Sequence, residues 1–285
     1  MTLQTIPVQR PITRQPDREP DLVERVQINF SLSEATGTIP THHVPSLTRL
    51  CRDKIDAMIA HPTDKDFSTI IELVKQGMAA DLQVRDPANL HPKVSLLAYA
   101  CTISDPGLVK FLIEERKIIP DLDCFERAAG ANYDVDILKI VCRFIHPDTV
   151  IPERGGTMLQ IHCLNHCVFG VTQLLLVHAN PDKTTEEWPE APLALAIRAI
   201  GEDPNLYNAD QRARFRGKMK KQEEIMTALI EKGANVNACI DLPEPPYSTM
   251  TILDIALDRK NTAAARLLRD YGAKTYRELS SNVED

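Results

Sequence analysis

Short apolar runs separated by polar turns make up most of the chain from about residue 46 onward. In segments 70–74 and 137–141 the apolar residues recur at intervals of three and four, which is typical of a helix with one buried face. Earlier in the chain, apolar and polar residues alternate from Val26 to Leu32, which predicts one half-buried strand. A single strand is not stable alone, so we expect it to lean on the helices that follow.

Both ends of the chain differ from this helical region. The first 22 residues have prolines at positions 7, 11, 16 and 20 among polar and charged residues, a composition that buries too little apolar surface to order itself. We therefore assign residues 1–45 to a disordered tail followed by the short strand, residues 46–276 to the helical domain, and residues 277–285 to a C-terminal tail.

One phrase is nearly repeated within the helical domain. LIEKGANVNA at 229–238 follows the alanine-containing segment APLALAI at 191–197, and LLRDYGAKTY at 267–276 follows TILDIAL at 251–257. These segments resemble the ankyrin repeat, whose first helix opens with Thr-Pro-Leu-His-x-Ala and whose second helix ends with Leu-Leu-x-x-Gly-Ala. The resemblance implies an all-α solenoid of about six stacked helix pairs. The stacked pairs supply the core, because no pair hides its own apolar face.

The spacing within each unit tests this resemblance. About nineteen residues are expected between the leucine of the opening and the closing glycine. The intervals are 19 from Leu253 to Gly272, 19 from Leu97 to Arg116, 20 from Leu159 to Ala179 and 40 from Leu193 to Gly233. The unit with the interval of 40 therefore contains about 21 extra residues, which we interpret as a helical insertion at about 201–221 that extends its second helix.

Composition narrows the classes of function. The 285 residues have a formal net charge of −7, which argues against a nucleic-acid partner, because a protein that binds nucleic acid needs a broad basic face. We expect no membrane span and no secretory signal, and therefore a cytoplasmic protein, with the nucleus as the alternative. The seven cysteines are an odd number in a chain too long for a disulfide scaffold, so we expect them to be reduced.

The resemblance implies that a protein partner binds the loop fingers between units and the inner face beneath them. The candidate finger residues lie three or four positions before a helix opening; they are His91, Arg154, Trp188 and Tyr247. An exposed aromatic or arginine side chain on a loop is typical of an interaction hot spot. The alternative for Trp188, the one tryptophan, is that its ring folds back onto the adjacent loop and stabilises the finger.

The insertion is strongly basic. Six positive charges fall within ten residues; they are Arg212, Arg214, Arg216, Lys218, Lys220 and Lys221. We predict that this segment contacts an acidic patch on a protein partner, a phosphate-bearing ligand or a nuclear import receptor. The alternative is a solvated face, because charge runs are usually exposed and Lys220 lies one helical turn before Glu224.

A cluster of histidine and cysteine occurs in IHCLNHC at 161–167. Helical spacing puts His162 and His166 on one side of a helix, and likewise Cys163 and Cys167. We predict no metal, because four ligands from so short a segment do not converge tetrahedrally. The main expectation is a packed, hydrogen-bonded cluster, since His162 and Cys163 occupy positions where the repeat family has alanine. The alternative is a ligand or catalytic pocket lined by His162, Cys163 and His166.

The sequence contains no phosphate-binding glycine loop, no Gly-x-Ser-x-Gly motif and no His-Glu-x-x-His motif. We therefore predict a non-enzymatic adaptor, scaffold or inhibitor without a cofactor. A small-molecule-binding or catalytic protein derived from the repeat is the alternative, and the resemblance also permits an effector that a microbe delivers into a host. The sequence leaves the oligomeric state open.

Overall fold

The computed structural model describes residues 68–75, 82–84, 93–130, 134–198, 209–241 and 249–281. The chain divides into two units, residues 1–82 and residues 83–285. In the first unit the structure describes one helix, α1 (Ser68–Lys75), in which Ile70 and Val74 are buried. The predicted N-terminal tail and the predicted strand at 26–32 lie outside the described residues.

In the second unit, three two-stranded antiparallel hairpins are described; two pairs of helices follow each of the first two, and one pair and a short final helix follow the third. The strands pair in the order β1 with β2, β3 with β4 and β5 with β6. They are β1 (Gln83–Val84), β2 (Val94–Ser95), β3 (Val150–Ile151), β4 (Gly156–Thr157), β5 (Cys239–Asp241) and β6 (Thr249–Thr251). The helices are α2 (Leu96–Thr102), α3 (Pro106–Lys110), α4 (Leu122–Ala128), α5 (Val135–Val141), α6 (Met158–Leu164), α7 (Val168–Leu176), α8 (Pro192–Arg198), α9 (Ala209–Glu231), α10 (Ile252–Asp258), α11 (Thr262–Asp270) and α12 (Tyr276–Ser280).

The described residues thus form the predicted succession of helix pairs, from α2 with α3 to α10 with α11. Helix α9 runs from Ala209 to Glu231 without interruption, and residues 199–208 lie outside the described residues. Residues 277–280, which the sequence analysis assigned to the C-terminal tail, belong to the short helix α12 (Tyr276–Ser280). None of the helices in the described ranges is long and apolar enough to cross a bilayer.

Polar side chains determine where most of these helices begin. Before the first helices of three units, Ser95, Thr157 and Thr251 stand at the end of a hairpin strand and accept a hydrogen bond from the backbone N–H three residues later. Before second helices, Asp105 and Asn261 do the same. The second strand of each hairpin therefore passes directly into a capped helix, which fixes the hairpin relative to the layer beneath it.

The core lies between neighbouring layers. First helices pack on one another, α2 on α4, α6 on α8 and α8 on α10, and second helices form a parallel row, with α3 on α5, α7 on α9 and α9 on α11. The alanines that the sequence placed between first helices are buried, which allows close approach; they are Ala98, Ala100, Ala128, Ala129, Ala194, Ala196 and Ala256. In the second helices, Leu174, Leu175 and Leu268 are buried, and each buried leucine contributes about 1.5–3 kcal/mol.

Among the described residues, four of the five second helices in this unit are followed by a residue in the left-handed backbone region, and α5 is the exception. This position is occupied by Gly233 and Gly272, with φ of 92° and 82°, and by His178 and Lys117, with φ of 65° and 59°. Glycine takes this conformation without steric cost, whereas other residues take it with some strain.

These dihedral angles correct two of the sequence-based intervals. His178, not Ala179, occupies the closing-glycine position, so the interval from Leu159 is the regular 19 residues. Lys117, not Arg116, occupies it in the earlier unit, where the interval from Leu97 is therefore 20. The extra residue is absorbed by a π-helical turn at Phe111–Glu115, which continues α3 with a wider backbone ring.

A ladder of hydrogen bonds connects the loops that follow successive second helices. In this loop ladder a side chain of one loop accepts a hydrogen bond from a backbone N–H of the next: Asp148 from Asn180 at 2.8 Å, Asp182 from Asn235 at 2.9 and 3.1 Å, and Asn237 from Lys274 at 2.7 Å. Each loop therefore fixes the position of the next one.

The same loops are also stiffened internally. Within each of two loops, an asparagine side chain accepts a hydrogen bond from the backbone N–H two residues later. The Asn180 side chain accepts from the Asp182 N–H at 2.9 Å, and the Asn235 side chain accepts from the Asn237 N–H at 3.0 Å. In LIEKGANVNA the glycine therefore ends the helix, the first asparagine closes the loop and the second holds the following loop.

The last layer is closed by α12. The Asp254 carboxylate accepts a hydrogen bond from the backbone N–H of Tyr276 at 2.8 Å, which ties α12 to the first helix of the last pair. Hydrogen bonds from the Arg269 guanidinium, and then from the backbone and side chain of Thr275, lower the pKa of Glu278 to about 2. The carboxylate of Glu278 thus stays ionised and holds the helix start through its capping box.

The loop ladder predicts the effect of removing one acceptor. Asp182→Ala leaves the N–H of Asn235 without its carboxylate partner, so we expect the free energy of unfolding to fall by about 1 kcal/mol. Asp182→Asn retains an acceptor and should lose less, and Lys183→Ala, an exposed neighbour, serves as the control. Urea unfolding followed by far-ultraviolet circular dichroism measures all three. Equal stability of Asp182→Ala and the unchanged protein would contradict the role of the ladder.

Candidate functional site

The hairpins form one edge of the stack, which we call the finger edge: the hairpins of β1–β2, β3–β4 and β5–β6 and the loop 180–191. An open cleft of about 570 Å³ lies between the β3–β4 hairpin and this loop. Its lining mixes apolar, hydroxyl and charged groups; the residues are Val150, Gly155, Lys183, Thr184, Thr185, Glu186 and Glu187. A partner side chain can therefore enter between two neighbouring fingers.

Trp188 lies half-buried beside this cleft. Its indole covers Gly156 so closely that a Cβ at that glycine would lie 2.9 Å from Cδ2 of the ring. The Trp188 N–H donates to the Thr185 hydroxyl at 3.0 Å, and the Trp188 carbonyl accepts from the Thr185 N–H, also at 3.0 Å. The structure therefore shows the ring folded back on the adjacent hairpin, as the alternative reading expected, with part of its surface still open to solvent.

Two polar residues that the sequence reasoning missed hold this finger in place. The buried Gln160 carboxamide donates to the carbonyls of Trp188 and Glu190 at 3.0 and 2.9 Å. The Thr185 hydroxyl donates to the Gly155 carbonyl at 2.6 Å. Gln160 occupies the histidine position of the Thr-Pro-Leu-His opening, and this alignment could have identified it from the sequence.

Arg154 lies exposed at the tip of the β3–β4 hairpin. Its Nε is 3.4 Å from Oε1 of Glu126 on α4, and 54% of its side chain is accessible. Two further charged residues of this edge, Glu153 and Lys183, are also exposed. The predicted finger residues His91 and Tyr247 lie outside the described residues, so the structure brings Arg154 and Trp188 to one edge and leaves the other two as predictions.

The basic segment lies on the extended helix α9. Arg214, Arg216 and Lys218 are exposed, and so are Lys220 and Lys221. Arg212 also falls on this helix, but its side chain is outside the described set. Lys220 Nζ lies 3.7 Å from Oε1 of Glu224, with 80% and 46% of the two side chains accessible. An exposed ion pair of this kind contributes little stabilising energy, and it involves one of the five exposed cations. The segment therefore remains strongly positive.

Gln222 marks where α9 joins the stack. Its amide nitrogen donates to the carbonyl of Ala196 in α8 at 2.9 Å, and its oxygen accepts from the side chain of Asn261, which begins α11, at 2.8 Å. After this residue α9 is buried through Ile225, Met226 and Leu229. Before it, residues 214–221 are exposed or half-exposed.

The histidine and cysteine cluster is not arranged as its spacing suggested. Helix α6 ends at Leu164, and His166 lies in the turn that follows, with φ of 51°. Cys167 begins the next helix, where its Sγ accepts from the Gly170 N–H at 3.4 Å. The prediction that the residues at positions 162 and 166 share one side of a helix is therefore wrong, because each first helix ends after seven residues.

His162 is buried between two layers. Its Nε2 lies 2.6 Å from the Ala129 carbonyl, and its ring fills the space beside Gly170, where a Cβ would lie 2.7 Å from the ring Cγ. Burial lowers the pKa of His162; the hydrogen bond that the ring donates to the Ala129 carbonyl opposes this shift, and the positive charge of Arg154 adds to it. The ring is thus a neutral packing group that donates its Nε2 proton, in agreement with the expected packed, hydrogen-bonded cluster.

The neighbouring thiols are unsuited to nucleophilic chemistry. Cys163 is fully buried, and burial raises the pKa of its thiol well above the ordinary range, with the nearby Cys167 adding to the effect. Burial also raises the pKa of Cys142 to about 12. Within the described ranges, no three side chains of His, Cys, Asp or Glu converge on a point where a metal ion would sit.

The contact between His162 and Gly170 predicts a size exchange. Gly170→Ala pushes a methyl group into the imidazole, so we expect a loss of about 1–3 kcal/mol in unfolding free energy. In a His162→Ala background the space is open, and the same change should be neutral or stabilising, because alanine favours helix over glycine by up to about 1 kcal/mol. Urea unfolding of the four proteins gives the coupling. Equal effects of Gly170→Ala in both backgrounds would contradict the contact.

The pKa of His162 predicts a pH dependence. Because the folded state holds this pKa below its ordinary value of 6.5, the unfolded chain takes up the proton first as the pH falls. The contribution of the neutral ring is fully present above that ordinary value and is lost below it. We expect the urea midpoint to fall between about pH 7.5 and 5.5, and to fall less in His162→Gln, which keeps a donor but does not titrate. Equal decreases in both proteins would refute this assignment.

Comparison with known proteins follows the geometry. No protein-family profile and no curated protein sequence matches this chain. The structure is similar to the crystal structure of an ankyrin repeat domain from Acinetobacter baumannii AYE, with a TM-score of 0.51 and 18% identity over 80% of this chain and 98% of that chain. The ankyrin repeat domain of Bcl-3, a member of the IkappaB family, gives a TM-score of 0.49 and 19% identity over 76% of this chain and 85% of that chain. The protein thus folds as a stack of divergent ankyrin repeats.

Proposed function

We propose that this protein is a non-enzymatic binding module, an adaptor, scaffold or inhibitor that holds another protein on its finger edge and on the inner face below it. The observation that carries the proposal is that the fingers are fixed before any partner arrives. The loop ladder positions successive loops, and Gln160 and Thr185 hold the Trp188 finger. A preformed surface loses little conformational entropy on binding, so its contacts contribute more fully to affinity.

The side chains on this edge suit protein recognition. Trp188 and Arg154 each directly adjoin in sequence a residue that lines the cleft between two fingers. The Arg154 side chain is 54% accessible, and Trp188 is half-buried. Tryptophan and arginine dominate binding energy in protein interfaces because they combine large area with a polar group. We propose that a partner places one side chain in the cleft and covers both residues, with His91 and Tyr247 extending the contact along the same edge.

The inner face adds an apolar component. Leu164 on α6 and Leu257 on α10 are exposed by 36% and 50%, whereas most other residues of these two first helices are buried. Isolated exposed leucines are ordinary, so these two supplement the finger contact and do not define it. The six described cysteines are free, which accords with our proposal of a cytoplasmic or nuclear location.

The alternative function, a pocket at His162, Cys163 and His166, gains no support from the contacts of the cluster. The imidazole of His162 is committed to the Ala129 carbonyl and to the space beside Gly170, and the Cys163 thiol is fully buried. Neither group faces the cleft at the fingers. We therefore propose the binding module alone.

Charge-matched variants test the finger edge. The finger variant is Glu153→Ala, Arg154→Ala and Lys183→Ala, which removes one acid and two bases from exposed finger positions. We expect at least one protein that the immobilised full chain captures from a cell lysate to be lost, by roughly tenfold or more, because three contacts of a few tenths to one kcal/mol each disappear. Quantitative mass spectrometry of the eluates measures the loss.

The control removes the same charges from exposed positions on second helices, with Asp136→Ala, Lys139→Ala and Arg266→Ala. It should capture the same proteins as the unchanged chain, and both variants should keep its thermal midpoint within a few degrees. If the finger variant captures as much of every protein as the control does, the finger edge is not the binding surface and the proposal fails.

A further inference from the structure

The direction of the helices places the basic segment away from the fingers. First helices begin where hairpin strands end, as α6 follows β4 and α10 follows β6. They run to the opposite side of the stack, where a turn leads into the second helix. We call that side the turn edge; its residues are 103–105, 165–167 and 259–261. Second helices therefore enter the stack from the turn edge, and so does α9.

The contacts of Gln222 show how far α9 passes that edge. Gln222 is already level with the end of α8 and with Asn261 at the start of α11. Helices α7 and α11 have nine residues each, whereas α9 has 23. The 13 residues from 209 to 221 therefore extend α9 beyond the turn edge by about 20 Å, at 1.5 Å per residue. We call this segment the α9 arm.

The cations of the α9 arm form two rows. At about 100° per residue, Arg214, Lys218 and Lys221 share one side of the helix, while Arg216 and Lys220 share the opposite side. Phe215 and Met219 continue the side that faces the stack further along, and both are half-buried. Gly217 lies exposed between the two cationic rows, with no atom within 4 Å of the place where a Cβ would stand. The arm thus offers an anionic chain close access between two rows of positive charge.

The charge of the rest of the protein selects among anionic partners. The full chain has a net charge of −7, and the six cations at 212–221 contribute +6, so the remainder carries −7 − 6 = −13. A long polyanion such as a nucleic acid, or a wide anionic membrane, would bring many charges close to this acidic body. Screening acts over only about 8 Å at physiological salt, so a short anionic segment bound to the arm escapes that repulsion.

We propose that the α9 arm is a second docking site, separate from the finger edge, and that it binds an acidic segment of a protein. The cations of each row recur every three or four residues, within about 11 Å of the arm. Carboxylates spaced at one helical turn, or along an extended chain, meet them at this spacing. Because the two sites lie on opposite edges, the protein links two partners at once. This inference rests on the proposed function for the first partner, whereas the arm itself stands on its own geometry.

A defined peptide tests the arm without knowledge of the natural partner. The probe is a fluorescein-labelled peptide of eight glutamates and aspartates interspersed with alanine, and its anisotropy reports binding to the full-length chain. We expect Arg214→Gln, Lys218→Gln and Lys221→Gln together to weaken binding by at least roughly tenfold, because three charge contacts are lost. The control, Arg266→Gln, Lys232→Gln and Lys274→Gln, removes one Arg and two Lys from other exposed positions and should change affinity by less than about twofold.

Additional measurements separate the two proposals. A 20-base-pair DNA duplex and vesicles containing phosphatidylserine should bind more weakly than the peptide, and the finger variant should bind the peptide as the unchanged chain does. Equal loss of peptide affinity in the arm variant and its control, or tighter binding of DNA or vesicles, overturns the inference. Loss of peptide binding in the finger variant overturns the separation of the sites, whereas unchanged lysate capture by the finger variant refutes only the proposed function.

Discussion

Stability in this protein depends on each layer of two helices burying its apolar face against the next layer, because no layer is large enough to do so alone. The close approach that this requires comes from buried alanines between first helices and from leucines between second helices. The loop ladder adds direction to this contact. An apolar interface permits sliding, whereas a carboxylate of one loop that accepts the N–H of the next permits one register. The position of the Trp188 finger relative to the neighbouring loops follows from that register.

Much of the fold could be predicted from the sequence, because the residues that determine it act locally. The closing glycines, the alanine pairs and the apolar spacing indicated the layers, and the absence of proline from Asn208 to Gly233 indicated the long helix α9. The register of two units could not be read correctly, since His178 and Lys117 adopt a backbone conformation that usually reveals itself through glycine. A π-helical turn, which changes no residue type, absorbed the extra position.

Less of the candidate site could be predicted. The candidate finger residues Arg154 and Trp188 were placed on the correct edge, because position relative to a helix opening is enough to place a loop residue. The environment of Trp188 was not predictable as a single outcome, since the ring is held by Gly156 and Gln160, which are distant in sequence. The prediction that His162 and His166 share one side of a helix was wrong for a different reason. Periodicity assumes that a helix continues, and nothing in IHCLNHC shows that the backbone turns at His166.

Trp188 has a consequence for how the molecule is studied. It is the single tryptophan of the chain and lies half-buried on a finger, 28 positions along the sequence from the glutamine whose side chain binds its carbonyl. The intrinsic emission of this protein therefore comes from the edge where recognition is proposed, and not from the interior of the stack. An occupied edge would shift the emission wavelength while the helices stay intact, so the chain supplies its own optical reporter without a dye.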